Sequence, residues 1–379
     1  MSKKKIAVFT GSRSDYEILK PLILKLKKRN EIKLFVGPHH YEKKFGFTYK
    51  EIKKDKIKIF YKCNTKVNYN NVDINKFLQD SIFSYKKKLN KLNPDLVIIL
   101  GDRYEVLSFV LASFFLNLKI CHLHGGEITN GSFDDTIRHM ISKMAGYHFV
   151  TNIIYKRRLI LMGENPKNIF NLGSLGALNT KNAKIIPRDL IYKKFNIPKS
   201  CRLVLITFHP ETNSGIKLEQ QIDIFLKSLK NNRKYFFLFT GCNADPYGNY
   251  FNMKIKNFVL KNKSSLFVKN LGGLDYCSLI NYSEFVLGNS SSGVYEVPIL
   301  KKITINVGSR QSGRLMPNSV LNCELNTKKI KKILENLNSY KSKIKFNNLF
   351  YKKDALNNIS KKIENIIQLE KENKVFYEK

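Results

Sequence analysis

Residues 93–140, NPDLVIILGDRYEVLSFVLASFFLNLKICHLHGGEITNGSFDDTIRHM, constrain the fold more than any other part of the chain. Leu96 to Leu100 is apolar without alternation, as in a strand buried on both faces, and it stops at Gly101-Asp102-Arg103. A second short strand, Lys119 to Cys121, runs into His122-Leu123-His124-Gly125-Gly126-Glu127, and Asp134, Asp135, Arg138 and His139 follow. Buried parallel strands with charged, glycine-bearing carboxyl ends are how an α/β fold builds a site at the edge of its sheet. Between Asp102 and His139 lie five carboxylates, three histidines and two arginines, more than folding alone requires.

The same grammar runs through the rest of the chain. Lys5 to Thr10 reads as a strand, Gly11-Ser12-Arg13-Ser14-Asp15-Tyr16 as a turn, and Glu17 to Lys28 as a helix with Pro21 in its first turns. That turn suits an anion at a helix N-terminus, without being a full dinucleotide or Walker A motif. Strands follow at Lys33 to Val36 and Ile57 to Tyr61, and His39 and His40 are expected in a solvated loop. Phe77 to Leu92 is a helix, an apolar helix separates the two central strands, Ile137 to Ala145 is a helix, and Tyr147 to Thr151 and Ile169 to Leu172 are strands. A polar stretch, Asn179 to Ser200, reads as a linker, after which the pattern restarts. Leu203 to Phe208, Tyr235 to Thr240, Leu266 to Val268, Phe285 to Leu287 and Ile303 to Val307 are the strands of this second half, and Thr327 onward is charged and helical. The expected fold is therefore α/β with two doubly wound parallel-sheet domains, residues 1–178 and 179–355, followed by 356–379.

Composition narrows the function. A chain of 379 residues, 43% hydrophobic and free of Trp, is globular, and its apolar stretches are too short to span a bilayer. No signal peptide is recognisable, and six scattered cysteines without a CxxC pair favour reduced thiols, so a cytoplasmic location is expected. The net charge of +37 invites a nucleic-acid reading, but lysine spread along the whole chain reads as a biased composition on solvated faces, with at most a field attracting phosphate.

Several constellations carry chemistry. Gly288-Asn289-Ser290-Ser291-Ser292-Gly293, between a strand and a helix, offers small hydroxyl residues and N–H groups to a diphosphate, with Glu296 one turn on for ribose hydroxyls; the bland alternative is an N-cap at Ser292. Arg310 adds positive charge after another strand, and His209, ahead of Pro210, ends a strand. Asp102, Glu127, Asp134 and Asp135 suit general acid–base work, and Arg103, beside Asp102, suits a phosphate or carboxylate partner, although Asp134 or Asp135 also suits an N-cap. By alternation His122 and His124 share a face and with Glu127 suggest a metal, yet no compact tetrahedral set is evident, and none is expected.

GSRSDY, LGDRYE, HLHGGE, FDDTIRH, NLGSLG, FHPET, CNAD, GNSSSGVYEVP and GSRQSGR, in this order, resemble the hydrolysing UDP-N-acetylglucosamine 2-epimerases of bacterial sialic acid biosynthesis, over about residues 3–325. The resemblance implies a GT-B architecture of two Rossmann-like domains with an interdomain cleft, and a C-terminal helix packed back on the first domain. It implies elimination of UDP to 2-acetamidoglucal and hydration to N-acetylmannosamine, with no cofactor and no catalytic metal. By motif position Asp102 and Asp134 resemble catalytic carboxylates, and His209 a histidine near the diphosphate; Glu127 is the nearest carboxylate where His124 replaces a glutamate common among relatives. Arg13, Arg103, Asn243, Ser290, Ser291, Glu296 and Arg310 resemble nucleotide-sugar contacts. The expected partners are a nucleotide sugar and further copies of the chain, as dimer or tetramer, with no nucleic acid and no membrane. Three rivals stand beside this reading: the same chemistry on a UDP- or GDP-2,4-diacetamido-2,4,6-trideoxyglucose for legionaminic acid, a GT-B glycosyltransferase, and a nucleic-acid binder.

Overall fold

The computed structural model describes residues 3–42, 47–63, 65, 74–242 and 247–378. Two compact units divide the chain: 1–127, 134–179 and 350–379 form the first, and 128–133 and 180–349 the second. The first unit thus takes the chain back at residue 350 rather than 356, and the short excursion 128–133 was not anticipated.

The first unit is built on a parallel sheet of seven strands, ordered β3-β2-β1-β4-β5-β6-β7. These are β1 (Lys5–Thr10), β2 (Glu31–Val36), β3 (Ile59–Lys62), β4 (Leu96–Leu100), β5 (Ile120–Leu123), β6 (Tyr147–Val150) and β7 (Ile169–Asn171). β4, Leu-Val-Ile-Ile-Leu, is buried at every position, as its unbroken apolar sequence requires of a central strand. Helices cover both faces. α1 (Arg13–Leu26) and α15 (Ala355–Gln368) share one core with Ile6, Val8 and Ile98, while α3 (Ile74–Leu92) and α4 (Tyr104–Phe115) close the other around Phe9, Phe35 and Phe109. Strand order reverses direction between β1 and β4, and that switch point is where a ligand crevice opens in such sheets.

α1 begins at Arg13, four residues ahead of the expectation, so Pro21 sits well inside it. A proline there leaves the carbonyl of residue i−4 without its N–H donor. That carbonyl, on Glu17, instead accepts from Asn179 Nδ2 at 3.1 Å. The helix start is set by Asp15, whose carboxylate accepts the Ser12 N–H at 2.9 Å.

The second unit repeats the architecture with six parallel strands, ordered β10-β9-β8-β11-β12-β13. They are β8 (Leu203–Thr207), β9 (Phe236–Thr240), β10 (Ser265–Val268), β11 (Phe285–Gly288), β12 (Thr304–Val307) and β13 (Val320–Cys323). α9 (Leu218–Leu229), α10 (Gly248–Leu260) and α13 (Thr327–Glu335) pack on one face, and α8 (Arg188–Lys194) and α11 (Gly273–Tyr282) on the other. The segment read as a polar linker is therefore partly core: α8 lies inside it, and Ile191, Tyr192 and Ile197 are buried beside Leu203 and Leu205. Its polar residues are the solvent side of an amphipathic helix. Among the described residues no helix is long and apolar enough to cross a membrane, and no disulfide joins any of the six cysteines.

Candidate functional site

Each sheet brings a separate set of polar residues to its switch point. In the first unit these are the carboxyl ends of β1, β4 and β5 and the start of α5 (Asp134–Met144). Arg138, only 1% exposed, is the centre of the set. Its guanidinium pairs with Asp102, donates to the Glu127 carbonyl at 3.0 Å and stands 3.5 Å from Asp135. Asp102, after β4, keeps a fifth of its side chain exposed (20%). Arg103, expected to meet a phosphate or a carboxylate, forks its guanidinium onto the Glu105 carboxylate at 3.2 and 3.3 Å.

Glu105 is fully buried and also meets His39 Nδ1 at 2.9 Å. Burial alone would raise its carboxyl; Arg103 and then His39 overcome that and hold it at about 2. His39 and His40 are therefore not a solvated pair. They lie in the short 3₁₀ turn Pro38–Tyr41, 3% and 0% exposed, and His40 joins Thr10 (3.1 Å) to Thr48 (2.8 Å). Burial first, then the charge of His39, lowers His40 to about 3, so it works as a neutral hydrogen-bonding spacer.

His122 and His124 do not form a metal face. β5 ends at Leu123 and His124 turns to a left-handed φ of 67°, so the alternation that would align them is broken. Both ring nitrogens of buried His122 are occupied: Nε2 donates to the Gly101 carbonyl (2.8 Å), and Nδ1 faces the Ser142 hydroxyl (3.1 Å). Burial lowers His122 to about 3. His124 Nδ1 instead lies 3.3 Å from the carboxylate of Glu127, itself 2% exposed. Among the described residues no three His, Cys, Asp or Glu side chains gather as a metal set.

Asp134 and Asp135 both fall inside the first turn of α5 rather than at its N-cap. Asp135 is shared between Arg138 and His139 Nε2 (3.6 Å). Asp134 is half-buried at the head of the helix, and Arg13 opens α1 beyond the end of β1.

In the second unit Asn289, fully buried after β11, ties the ends of β8 and β11 together. Its Oδ1 accepts the His209 N–H at 2.7 Å, and its Nδ2 donates to the His209 carbonyl (2.9 Å) and to Glu211 (3.3 Å). Such close strand ends leave no room beside Gly288: at φ 136° a Cβ would come 2.0 Å from the Thr207 oxygen. Glu211, 3% exposed, also gathers the Ser309 N–H (3.0 Å), the Ser309 hydroxyl (2.9 Å) and the Arg310 N–H (3.3 Å). Arg310 Nη1 and Gln311 Nε2 donate to the Asn289 carbonyl at 3.4 and 2.8 Å. The sequence reading gave no separate role to Asn289, Glu211 or Arg138, although all three lie inside motifs quoted above.

The serine loop is not an N-cap. Ser291 occupies the cap position of α12 (Ser292–Tyr295) with helical dihedrals and no side-chain cap bond, while Ser290 Oγ accepts the Ser292 N–H at 3.4 Å. The Ser292 hydroxyl bonds Tyr276. Glu296 closes this single turn. Asn243 lies outside the described residues.

Residues 24–364 match the model of the family described as UDP-N-acetylglucosamine 2-epimerase. The chain is 36% identical, over 86% of both sequences, to the GDP/UDP-N,N'-diacetylbacillosamine 2-epimerase (hydrolyzing) of Campylobacter jejuni. It is 35% identical to the polysialic acid biosynthesis protein P7 of Escherichia coli, over 84% of this chain and 82% of that one. Among solved structures, the UDP-GlcNAc 2-epimerase of Neisseria meningitidis bound to UDP-GlcNAc superposes with a TM-score of 0.80 and 19% identity, covering 96% of this chain and 100% of the other. That likeness shows the fold, which is GT-B-like.

Proposed function

The chain belongs to the hydrolysing UDP-N-acetylglucosamine 2-epimerase family and is an enzyme, and from that premise we propose that it cleaves a UDP-activated 2-acetamido sugar with inversion at C2. One observation supports this most: the carboxylates of Asp102 and Asp135 and the backbone carbonyl of Glu127 meet on the single buried guanidinium of Arg138 at the switch point of the first sheet, with Asp134 at the head of the same helix. The reaction needs a base for the C2 proton and an acid to return one, and carboxylates held at one strand edge supply both.

In this reading a carboxylate of the Asp102, Asp134 and Glu127 group takes the C2 proton. The electron pair forms the C1–C2 double bond and the C1–O bond to UDP breaks. Water then adds across the resulting 2-acetamidoglucal, its hydroxyl to C1 and a proton to the opposite face of C2. Arg138 orients Asp102, and Glu127 with His124 takes the place of the glutamate that many relatives carry at position 124. In the second unit Ser290, Ser291 and the N–H groups of their loop receive the diphosphate, with His209 and Arg310 beside it and Glu296 on the ribose. A helix of one turn adds little dipole, so the hydrogen bonds themselves do this work.

For the sugar we place N,N'-diacetylbacillosamine first, carried on UDP or GDP, because the relative at 36% identity is named for those two nucleotide sugars. UDP-N-acetylglucosamine, giving N-acetylmannosamine, is the second reading, supported by the 35% identity to a polysialic acid biosynthesis protein. The enzyme is expected to act in the cytoplasm as a homo-oligomer. Incubating it with each nucleotide sugar in deuterated water, and reading UDP release with the C2 configuration and label by NMR, tests the proposal. Retained C2 configuration, a C2 that stays protiated, or nucleotide release only with an added acceptor sugar would each overturn it.

A further inference from the structure

α5 carries Asp134, Asp135 and Arg138 in its first turns, and its far end is met by the last residues of the chain. After α15, residues 370–378 belong to no helix or strand. Lys374 Nζ donates to the carbonyls of Ser142 (3.2 Å), Lys143 (2.7 Å) and Ala145 (2.7 Å). These carbonyls lie at the end of α5, where intrahelical donors run out, and that of Ser142 also takes the Ala145 N–H at 3.3 Å. The same ammonium meets Glu164 at 2.6 Å. That carboxylate is 2% exposed and also takes His148 Nε2 and Lys143 Nζ, each at 2.9 Å.

The segment is fastened on both sides of Lys374. Lys371 Nζ donates to the Asn117 carbonyl (2.6 Å) beyond the end of α4, and the Tyr377 N–H donates to the Gly163 carbonyl (2.9 Å). Phe376 packs against Gly163, where a Cβ would come 2.3 Å from its ring, and Lys143 stands 5.0 Å over the same ring. The arrangement is reciprocal, since Lys119 reaches out to the carbonyls of Ile366, Ile367 and Leu369 at the end of α15 (3.4, 3.2 and 2.8 Å). A loose tail would not place an ammonium on a buried carboxylate and three helix-end carbonyls at once, because partial desolvation of that charge is tolerated only where such partners offset it.

We infer that residues 370–378 form a strap that holds α5 in register, with Lys374 as a positioning residue for the Asp134–Arg138 face. This rests on the proposed function for its catalytic consequence but not for its structural one. The test compares the full-length enzyme with Lys374→Met, Lys374→Arg and a chain ending at Glu370, by amide hydrogen exchange without ligand and by turnover of both UDP sugars. In Lys374→Met and the shortened chain, amides of residues 139–146 should exchange at least about fivefold faster while those of α1 do not change, as local opening allows. kcat should fall with KM unchanged, and Lys374→Arg should restore most of both. The strap is refuted if α5 exchange stays at the wild-type rate in both variants, if the loosening spreads equally over α1 and the sheet, or if α5 loosens with kcat unaltered. Should the wild type consume neither UDP sugar, the functional reading fails, and the exchange data alone decide the strap.

Discussion

Replacing Arg138 by Met keeps the volume of the stem and removes the charge that Asp102 and Asp135 share. The guanidinium is 1% exposed, so water cannot substitute for it. Breaking one side of a buried ion pair costs about 3–5 kcal/mol. Asp102 retains 20% exposure and regains some hydration, which pulls this toward the lower end. The Glu127 carbonyl loses a donor at 3.0 Å, adding about 1 kcal/mol. The total is about 3–5 kcal/mol, or a fall of roughly 6–20 °C in the melting of a domain of 150–250 residues. Calorimetry of the whole protein should show the transition of the first unit move by this much. Combining Arg138→Met with Asp102→Asn should recover about 1–3 kcal/mol, because the stranded charge has gone. A single variant melting within 2 °C of the wild type, or strictly additive losses in the double variant, would refute the view that Arg138 holds Asp102.

Asp102→Asn should stop turnover, by about 100-fold or more, while UDP still binds in a calorimetric titration; comparable activity would remove it from the chemistry. Asn289→Ala removes three hydrogen bonds from a fully buried site and should cost about 2–4 kcal/mol and weaken UDP binding, read from urea unfolding and titration. Ser290→Ala with Glu296→Ala should raise the Kd for UDP at least about tenfold, leaving kcat at saturation little changed; the reverse pattern would remove both from the nucleotide pocket. His40 and His122, held near 3 when folded against 6.5 when free, bind protons more readily in the unfolded chain between those values. Their contribution is therefore complete above about pH 6.5 and drains away as the pH falls toward 3, and Glu105, held at about 2, adds its own loss below 4.5. Urea midpoints should fall steadily from pH 7 to pH 4.5, less steeply in His40→Gln; a flat profile would contradict the buried neutral histidines.

What was readable in the sequence follows what local pattern encodes. Unbroken apolar runs such as Leu96–Leu100 fix buried parallel strands, and the chemistry-bearing residues then fall at their carboxyl ends because that is where the chain leaves the core. Pairings set by tertiary geometry were not readable. The partner of Asp102, Arg138, arrives from α5, three elements after β4, and no local pattern links the two. His39 and His40 follow Gly37-Pro38, a turn signal, yet that turn tucks inward because Gly37 lies against Gly11, where even a Cβ would be 3.0 Å from the glycine Cα. The early start of α1 was hidden by Pro21, whose cost is offset by Asn179, a residue far along the chain.

The closing helix of the first unit has a consequence for how the protein is made. Ala355, Ile359, Ile363, Ile366 and Ile367 of α15 pack into the same core as Leu19, Leu22 and Leu26 of α1. A ribosome working from the amino terminus therefore delivers the apolar flank of α1 long before the residues that cover it, and the whole second unit is translated in between. The nascent first unit must wait with that flank bare, so newly made chains should depend on chaperones until α15 has emerged, while the second unit, nearly continuous in sequence, can fold as it is made.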